Sequence, residues 1–285
     1  PMVNNVSTNP GALVALQNLN RISAQLEDVQ RRVSTGKQVS SAKDNPALYA
    51  LAQKQRAELA SIEPVQQGLR IGASAVDVAI AAGEGVSDIL VQMRAIASQA
   101  ADASLGASER ALLQQQYADL GSQVDRLVNS ATIGGRNLLD GSTASLSVNA
   151  STDGTSTITI AGYNLLNNSV LTIDRTGGDL GSAVNAQAEL ADLDTSISNL
   201  TNSLAALGSG SKSLTLQGDL LTRVADALEV SIGNLVDADL AKESSRLQAL
   251  QVQQQLGIQA LSIANAAPNA SGSRAAAAPA AARDP

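Results

Sequence analysis

From Ile62 onward, apolar residues or glycine recur at alternating steps of three and four: Ile62, Val65, Leu69, Gly72, Val76, Ala79, Gly83, Val86, Leu90, Met93, Ala97 and Ala100. A rhythm kept for more than five heptads predicts one helix with a continuous apolar seam, roughly 58 Å long at the 1.5 Å rise of an α-helix. A second run keeps the same step through Leu190, Leu193, Ile197, Leu200, Leu204, Leu207, Ser211, Leu214, Gly218, Leu221, Ala225 and Leu228. A shorter third run comprises Leu113, Tyr117, Leu120, Val124 and Leu127. Each seam needs a partner, and the three can supply one another. The expected fold is mainly α: an elongated antiparallel helical bundle or coiled coil. Glycine in a seam costs about 1 kcal/mol of helix propensity but lets backbones approach. An imperfect bundle that tolerates small residues and one that uses them for close contact both fit the pattern.

Composition narrows the function classes. The chain has 285 residues, 44% of them apolar, yet its only aromatic residues are Tyr49, Tyr117 and Tyr163. A core of Ala, Leu, Val and Ile suits long helices packed along narrow seams better than a ring-filled globule. Cysteine and histidine are both absent, which removes disulfides, thiol nucleophiles, Cys/His metal sites and the commonest general base at neutral pH. The expectation is therefore a protein that is not an enzyme and needs no cofactor. A net charge of −7 lacks the basic stripe that nucleic acid requires, and no apolar run of 18 residues exists to span a membrane. The opening PMVNNVSTNPGALVALQNLN has no basic flank and no continuous apolar block. It does not read as a secretory signal, so export would take another route.

Further helices are expected at both ends. Ala15, Leu19, Ile22, Leu26, Val29 and Val33, with Leu16 beside them, repeat the three-four step. Near the other end Leu240, Leu247, Leu250, Val252, Leu256, Ile258, Leu261 and Ile263 spread around more than one face. A helix apolar on several sides wants several neighbours. Gly36 is placed to end the first helix, since glycine takes positive φ without penalty. Asn45 can cap the next, with Pro46 in its first turn. The stretch between them reads as a linker, and Ser231–Asp237, containing Gly233, Asn234 and Asp237, reads as its counterpart. Two such linkers predict a layer of terminal helices and a layer of central ones.

Residues 141–182 switch to period two. LSVNA and TITIA flank Asp153-Gly154, a two-residue hairpin signal, and Val170–Asp174 reads as a further strand. The last residues, SGSRAAAAPAAARDP, are low in complexity and expected to be disordered. Other motifs are weak. LGSGSKS (207–213) lacks the order of a phosphate-binding loop, and the Ser-x-x-Lys at 40–43 has no glycine-rich oxyanion partner. Asp237, Asp239 and Glu243 lie at a helix start, where carboxylates favour the dipole. The Asn-x-Ser matches at Asn149 and Asn167 are too short a pattern to mean much.

Four stretches carry a family likeness: TNPGALVALQNLN (8–20), VSTGKQVSSAKDNPA (33–47), VAIAAGEGVSDILVQM (78–93) and SIGNLVDADLAKESSRLQALQVQQQLGIQALSIAN (231–265). With these the chain resembles bacterial flagellins, in particular the short flagellins of alphaproteobacteria. The resemblance implies a subunit that polymerises into the flagellar filament, with a hook–filament junction protein of the same superfamily as the alternative. It implies inner-tube helices at 1–34 and 238–268 that carry the polymerisation residues Leu16, Leu19, Ile22, Leu26, Val29, Val33, Leu247, Leu250, Leu256, Leu261 and Ile263. Spokes would occupy 35–45 and 231–237, with Gly36, Asn45, Pro46, Gly233, Asn234 and Asp237 at the joints. Outer-tube helices would fill 46–140 and 183–230 around a hairpin region at 141–182, and 269–285 would form a tail. The implied partners are copies of the chain itself, a flagellar export chaperone, and hook-associated junction and cap proteins, with no nucleic acid or membrane. Export through the flagellar type III apparatus would place the protein in the extracellular filament. The chain departs from the family at Thr132–Asn137, where Ile133 would take the packing role of the usual aromatic residue.

Overall fold

The computed structural model describes residues 9–275, with side chains described as far as Asn265. In chain order it comprises α1 (Pro10–Thr35), α2 (Pro46–Ala100), α3 (Ala107–Ser130), β1 (Thr132–Ile133), β2 (Arg136–Asn137), β3 (Ser145–Asn149), β4 (Thr157–Ala161), α4 (Ala183–Val236) and α5 (Leu240–Ala275). Helix dominates, as the periodicity predicts. The chain divides into two compact units. One contains residues up to Arg56 and from Glu229 on; the other runs from Ala57 to Leu228. Among the described residues no helix is long and apolar enough to cross a membrane.

In the 57–228 unit, every one of the twelve seam positions from Ile62 to Ala100 is buried. Their partners lie on α4, which runs antiparallel to α2. Gln66 Nε2 donates to Thr222 Oγ1 at 2.9 Å, Ser211 Oγ to Asp77 Oδ1 at 2.9 Å, and Arg94 Nε to Asp194 Oδ1 at 2.6 Å. Each pair of residue numbers sums to the same value, so the register holds along the whole seam. Gly83 faces the Leu204 side chain and Gly72 faces Leu214 and Val148. Gly72 and Gly83 therefore mark close approach, whereas the seam position Gly218 has open space at its Cβ.

Leu193, Leu200, Leu207, Leu214 and Leu221 are buried at every seventh residue of α4, but the intervening expected positions Leu190, Ile197, Leu204 and Ser211 are only half-buried. A second stripe is buried instead, through Glu189, Ser196 and Ser203. It faces the 138–182 excursion: the Thr172 amide donates to Ser196 Oγ at 2.8 Å, Asn199 Nδ2 donates to the Val170 carbonyl at 3.2 Å, and Gln217 Nε2 donates to the Ala150 carbonyl at 2.6 Å. The excursion brings its own apolar residues, Leu138, Leu139, Leu165, Leu171, Ile173 and Leu180, all buried in the same core. Residues 170–174 are not a strand. Their backbone groups bond to α4 side chains, and Val170, Leu171 and Ile173 bury without a sheet partner.

Of the third seam, three of the five expected positions are buried, and Leu120 and Leu127 are half-buried. Leu113, Tyr117 and Val124 of α3 are buried. Arg110 fastens the start of α3 to the end of α2, donating to the carbonyls of Ala100 (3.0 Å), Leu105 (2.8 Å) and Asp102 (2.5 Å), a cation where unpaired carbonyls and the helix dipole favour one. Gly121 lies against the main chain at Arg175, and a Cβ there would run into the Arg175 carbonyl oxygen. Gly121→Ala is expected to destabilise this unit by about 1–3 kcal/mol, outweighing the gain in helix propensity. Gly208→Ala and Gly218→Ala, with open space around their Cβ positions, should stabilise it by up to about 1 kcal/mol. Urea denaturation of the three variants checks both signs.

The strands form two antiparallel pairs, β1 with β2 and β3 with β4. The first closes through Gly134 and Gly135, both at positive φ, the geometry of a two-residue hairpin. Ile133 packs half-buried against the core. In the second pair Asn149 faces Thr157, so Asp153-Gly154 is not a two-residue turn. It sits within a longer loop, residues 150–156, closed by the Ala150 amide donating to the Ser156 carbonyl at 2.9 Å. Residues 207–213 lie inside α4, and a helical stretch cannot form a phosphate loop. Helix α5 runs to Ala275, which carries it into the stretch expected to be disordered; residues 276–285 lie outside the described part.

Candidate functional site: the terminal helix pair and its joints

Helix α1 begins at Asn9, whose side chain accepts from the amides of Gly11 and Ala12 ahead of Pro10. It ends at Gly36, with φ 68° and ψ 11°, the left-handed terminus that glycine accepts most easily. Helix α5 begins at Asp239, whose carboxylate accepts from the amides of Ala241 and Lys242 at 3.1 Å each. The two helices pair antiparallel. Arg32 Nη1 lies 3.5 Å from Glu243 Oε1, Gln254 Nε2 3.4 Å from Ser23 Oγ, and Asn9 Nδ2 donates to the Ala264 carbonyl at 2.7 Å. At Gly257 the partner is the Leu19 side chain.

Between these polar contacts runs an apolar seam. Val29 and Leu250 are buried, while Leu19, Ile22, Leu26, Val33, Leu247 and Leu261 are half-buried. Leu16, Leu256 and Ile263 are not part of it; they stay exposed. They belong to a set with Leu13, Val14, Leu240, Val252 and Ile258 whose exposures range from 43% to 72%. At 3.6 residues per turn, Val252, Leu256 and Ile263 fall on one stripe of α5, roughly 160° around from the seam. Helix α5 is therefore apolar both toward α1 and on its back. Val252 and Ile258 differ from the seam residues only in phase, so spacing alone hides them among the other apolar positions.

The joints are stitched to each other. The amides of Gln38 and Val39 both donate to the Val236 carbonyl, at 2.8 and 3.2 Å, and the Ala238 amide donates to the Gly36 carbonyl at 2.9 Å. Lys37 and Asp237 form an antiparallel bridge. Residues 231–236, expected as a linker, are the last turns of α4. Ile232 and Val236 stay buried, Ser231 Oγ donates to Gln55 Oε1 at 3.1 Å, and the helix continues through Gly233 with no proline to stop it. Gly233 accepts from the Asp237 amide at 2.8 Å as the helix closes, and Asn234 is exposed beside it.

At the other joint the Asn45 side chain accepts from the Leu48 amide at 3.1 Å, capping α2 ahead of Pro46. Asp44 organises the preceding turn. Its Oδ2 accepts from the Ser40 hydroxyl and from the Ser40 and Ser41 amides, each at 2.9 Å. Led by the Ser40 hydroxyl, these donors hold the Asp44 carboxyl down at about 2, against an ordinary 3.8. A carboxyl lowered on folding contributes stability that is present above its ordinary value and fades as pH falls through the folded one. The 40–44 turn should stay closed down to about pH 4 and open between there and pH 2. A carboxyl-carbon NMR titration of Asp44 checks this.

Glu243 is buried at the α1–α5 seam, with Oε1 near Arg32 and Oε2 without a partner. Among the described residues no group of acidic side chains is arranged to hold a metal. What the site offers is surface: a helix pair with apolar residues on its back, clamped through both joints.

Residues 6–144 match the bacterial flagellin N-terminal helical region and residues 190–270 match the bacterial flagellin C-terminal helical region. The chain is 41% identical to flagellin FljO of Caulobacter vibrioides over 269 residues, spanning 94% of this chain and 97% of the relative. It is 32% identical to flagellin C of Rhizobium meliloti, spanning 91% and 95%. A solved Vibrio parahaemolyticus chain assigned to the flagellar hook-associated proteins shares the fold at a TM-score of 0.57 and 15% identity, over 68% of this chain and 100% of that one. The capped terminal helices, the paired seam and the two family matches flanking the hairpin lead to one conclusion: the chain belongs to the bacterial flagellins.

Proposed function

We propose that this chain is a structural subunit of the bacterial flagellar filament and that it polymerises through the back of its terminal helix pair. The observation that carries the reading is the exposed set at Leu13, Val14, Leu16, Val252, Leu256, Ile258 and Ile263. Exposed apolar side chains in such number mark an interaction surface, and further copies of the same pair can cover them. On this reading α1 and α5 line the inner tube, the 36–45 and 237–239 joints are the spokes, and the 57–228 unit forms the outer tube. The seam residues Leu19, Ile22, Leu26, Val29, Val33, Leu247, Leu250 and Leu261 hold the pair together, and Leu16, Leu256 and Ile263 join it to neighbours.

The finer expectations follow the same surface. An export chaperone would shield the apolar terminal helix before assembly. Junction and cap proteins would meet the same helices at the two filament ends. The subunit would leave the cell through the flagellar export apparatus and act outside it, as a building element and not as a catalyst.

Electron microscopy of concentrated purified protein, seeded with short filament fragments, tests the reading. Long filaments are the expected result. Failure to elongate at any concentration, with the helices intact by circular dichroism, would reject it in favour of a protein that only caps or adapts.

A further inference from the structure

The β3–β4 loop carries the dipeptide Asp153-Gly154. An aspartyl residue followed by glycine is chemically vulnerable because no side chain shields the next amide. The glycine nitrogen gives up its proton and attacks the carboxyl carbon Cγ, the bond to the carboxyl hydroxyl breaks, and one water leaves. The resulting succinimide reopens by adding water. If the bond from the nitrogen to the main-chain carbonyl breaks, glycine stays attached through Cγ. The product is isoaspartate, unchanged in composition but with an extra methylene in the main chain. The reaction runs through the protonated carboxyl, which has a leaving hydroxyl, and needs a free glycine amide.

Both requirements are opposed here. Asp153 Oδ1 accepts from the Ser151 hydroxyl at 2.5 Å, the Thr155 amide at 3.1 Å and the Thr155 hydroxyl at 2.9 Å, and that hydroxyl also lies 2.9 Å from Oδ2. The Gly154 amide donates to the Ser151 carbonyl at 3.3 Å. Ser151 is fixed in turn, since its hydroxyl oxygen accepts from the Ser156 amide at 3.0 Å. We propose that Ser151 and Thr155 form a guard that suppresses isoaspartate formation at Asp153, the carboxylate being clamped as an acceptor and the glycine nitrogen being occupied in the turn. The donors, led by the Ser151 hydroxyl, also hold the Asp153 carboxyl at about 2, which depletes the reactive protonated form by roughly one to two orders of magnitude relative to a free aspartyl residue. The guard is a property of the single subunit and does not depend on assembly.

The test follows isoaspartate at position 153 by peptide mapping during incubation at mildly acidic pH. It compares the full chain, the full chain with Ser151→Ala and Thr155→Val, Thr155→Ala alone, and a synthetic peptide of residues 146–160 as the unstructured reference. The full chain should isomerise at least about tenfold more slowly than the peptide. The double variant should isomerise several times faster than the parent chain with helix content unchanged, though slower than the peptide because the Thr155 and Gly154 amides keep their bonds. Thr155→Ala should fall between parent and double variant. A full chain that isomerises as fast as the peptide overturns the proposal, and so does a folded double variant no faster than the parent. Should the double variant lose helix, the comparison of parent chain with peptide decides alone.

Discussion

Leu256→Lys combined with Ile263→Lys should abolish filament growth while leaving the monomer's helix content and the 57–228 unit unchanged. Both side chains are exposed in the single chain, at 58% and 72%, so neither contributes much to its folding. Burying a Leu or Ile in an assembly contributes about 1.5–3 kcal/mol each. Losing both therefore raises the concentration needed for growth by roughly two to four orders of magnitude. The new ammonium groups would also have to be desolvated at a subunit contact, which adds to the loss. Sedimentation of seeded reactions against subunit concentration measures the shift. Unchanged growth would mean that the back of α5 faces solvent in the polymer. Val29→Ala makes the contrast, since Val29 is buried within the pair; it should loosen α1 from α5 in the monomer as well as hinder assembly.

The same comparison bears on where the monomer is weakest. The continuous buried cluster lies within Ile62–Leu221, whereas the terminal unit contributes few buried apolar residues, among them Val29, Val39, Ile232, Val236 and Leu250. Local stability follows buried apolar contacts. Limited proteolysis of dilute subunits should therefore cut first in α1 and α5, and assembly should suppress those cuts.

How far the sequence reveals this depends on which physics wrote each feature. The Ile62–Ala100 seam is legible because solvent exclusion acts on hydropathy alone, and every position it marks is buried. The second stripe on α4 is not legible. Ser196, Ser203 and Glu189 are polar, and hydropathy does not show their partners: Ser196 accepts from the Thr172 amide of the distant excursion, Glu189 accepts from the Tyr117 hydroxyl on α3, and Ser203 donates to the Asn199 carbonyl of its own helix. Gly36 and Asn45 announce themselves because capping is local. The extension of α4 through Val236 does not, since Ser231-Ile-Gly-Asn carries turn-like composition while Ile232 and Val236 find burial that composition cannot reveal. At the terminal pair, the three-four step identifies α1's seam. On α5 too many positions are apolar for spacing to separate the face toward α1 from the face toward neighbours, and Glu243 is buried through Arg32, which lies on the other terminal helix.

Tyr117→Phe should cost the 57–228 unit about 1–3 kcal/mol at neutral pH, and Tyr117→Ala about 3–5 kcal/mol because a cavity is added. Tyr117 is fully buried in α3, and its hydroxyl donates to Glu189, itself 8% exposed on α4. Burial, then the bond to the carboxylate, pushes the Tyr117 hydroxyl well above its ordinary value. Burial also raises Glu189 above 4.5, with Asp192 and Asp174 adding to the push, against the pull of the Tyr117 hydroxyl and the Asp174 amide. A carboxyl raised on folding contributes stability that is fully present below its ordinary value and lost as pH climbs through the folded one. Asp102, Asp174 and Asp194, all lowered by hydrogen bonds, have the opposite sign and weaken the unit as pH falls below 3.8. The contributions of these groups are together greatest in mildly acidic solution. They also separate the roles of the hydroxyl. An ionised Glu189 in the Tyr117→Phe variant would be left buried with the Asp174 amide but without the Tyr117 donor, whereas below 4.5 the protonated carboxyl loses only a neutral hydrogen bond, about half as strong. Urea unfolding of Tyr117→Phe on either side of pH 4.5 should therefore show the larger loss on the neutral side. Equal losses would mean that Glu189 keeps its proton throughout, and that the hydroxyl stabilises a neutral acid instead of a buried charge.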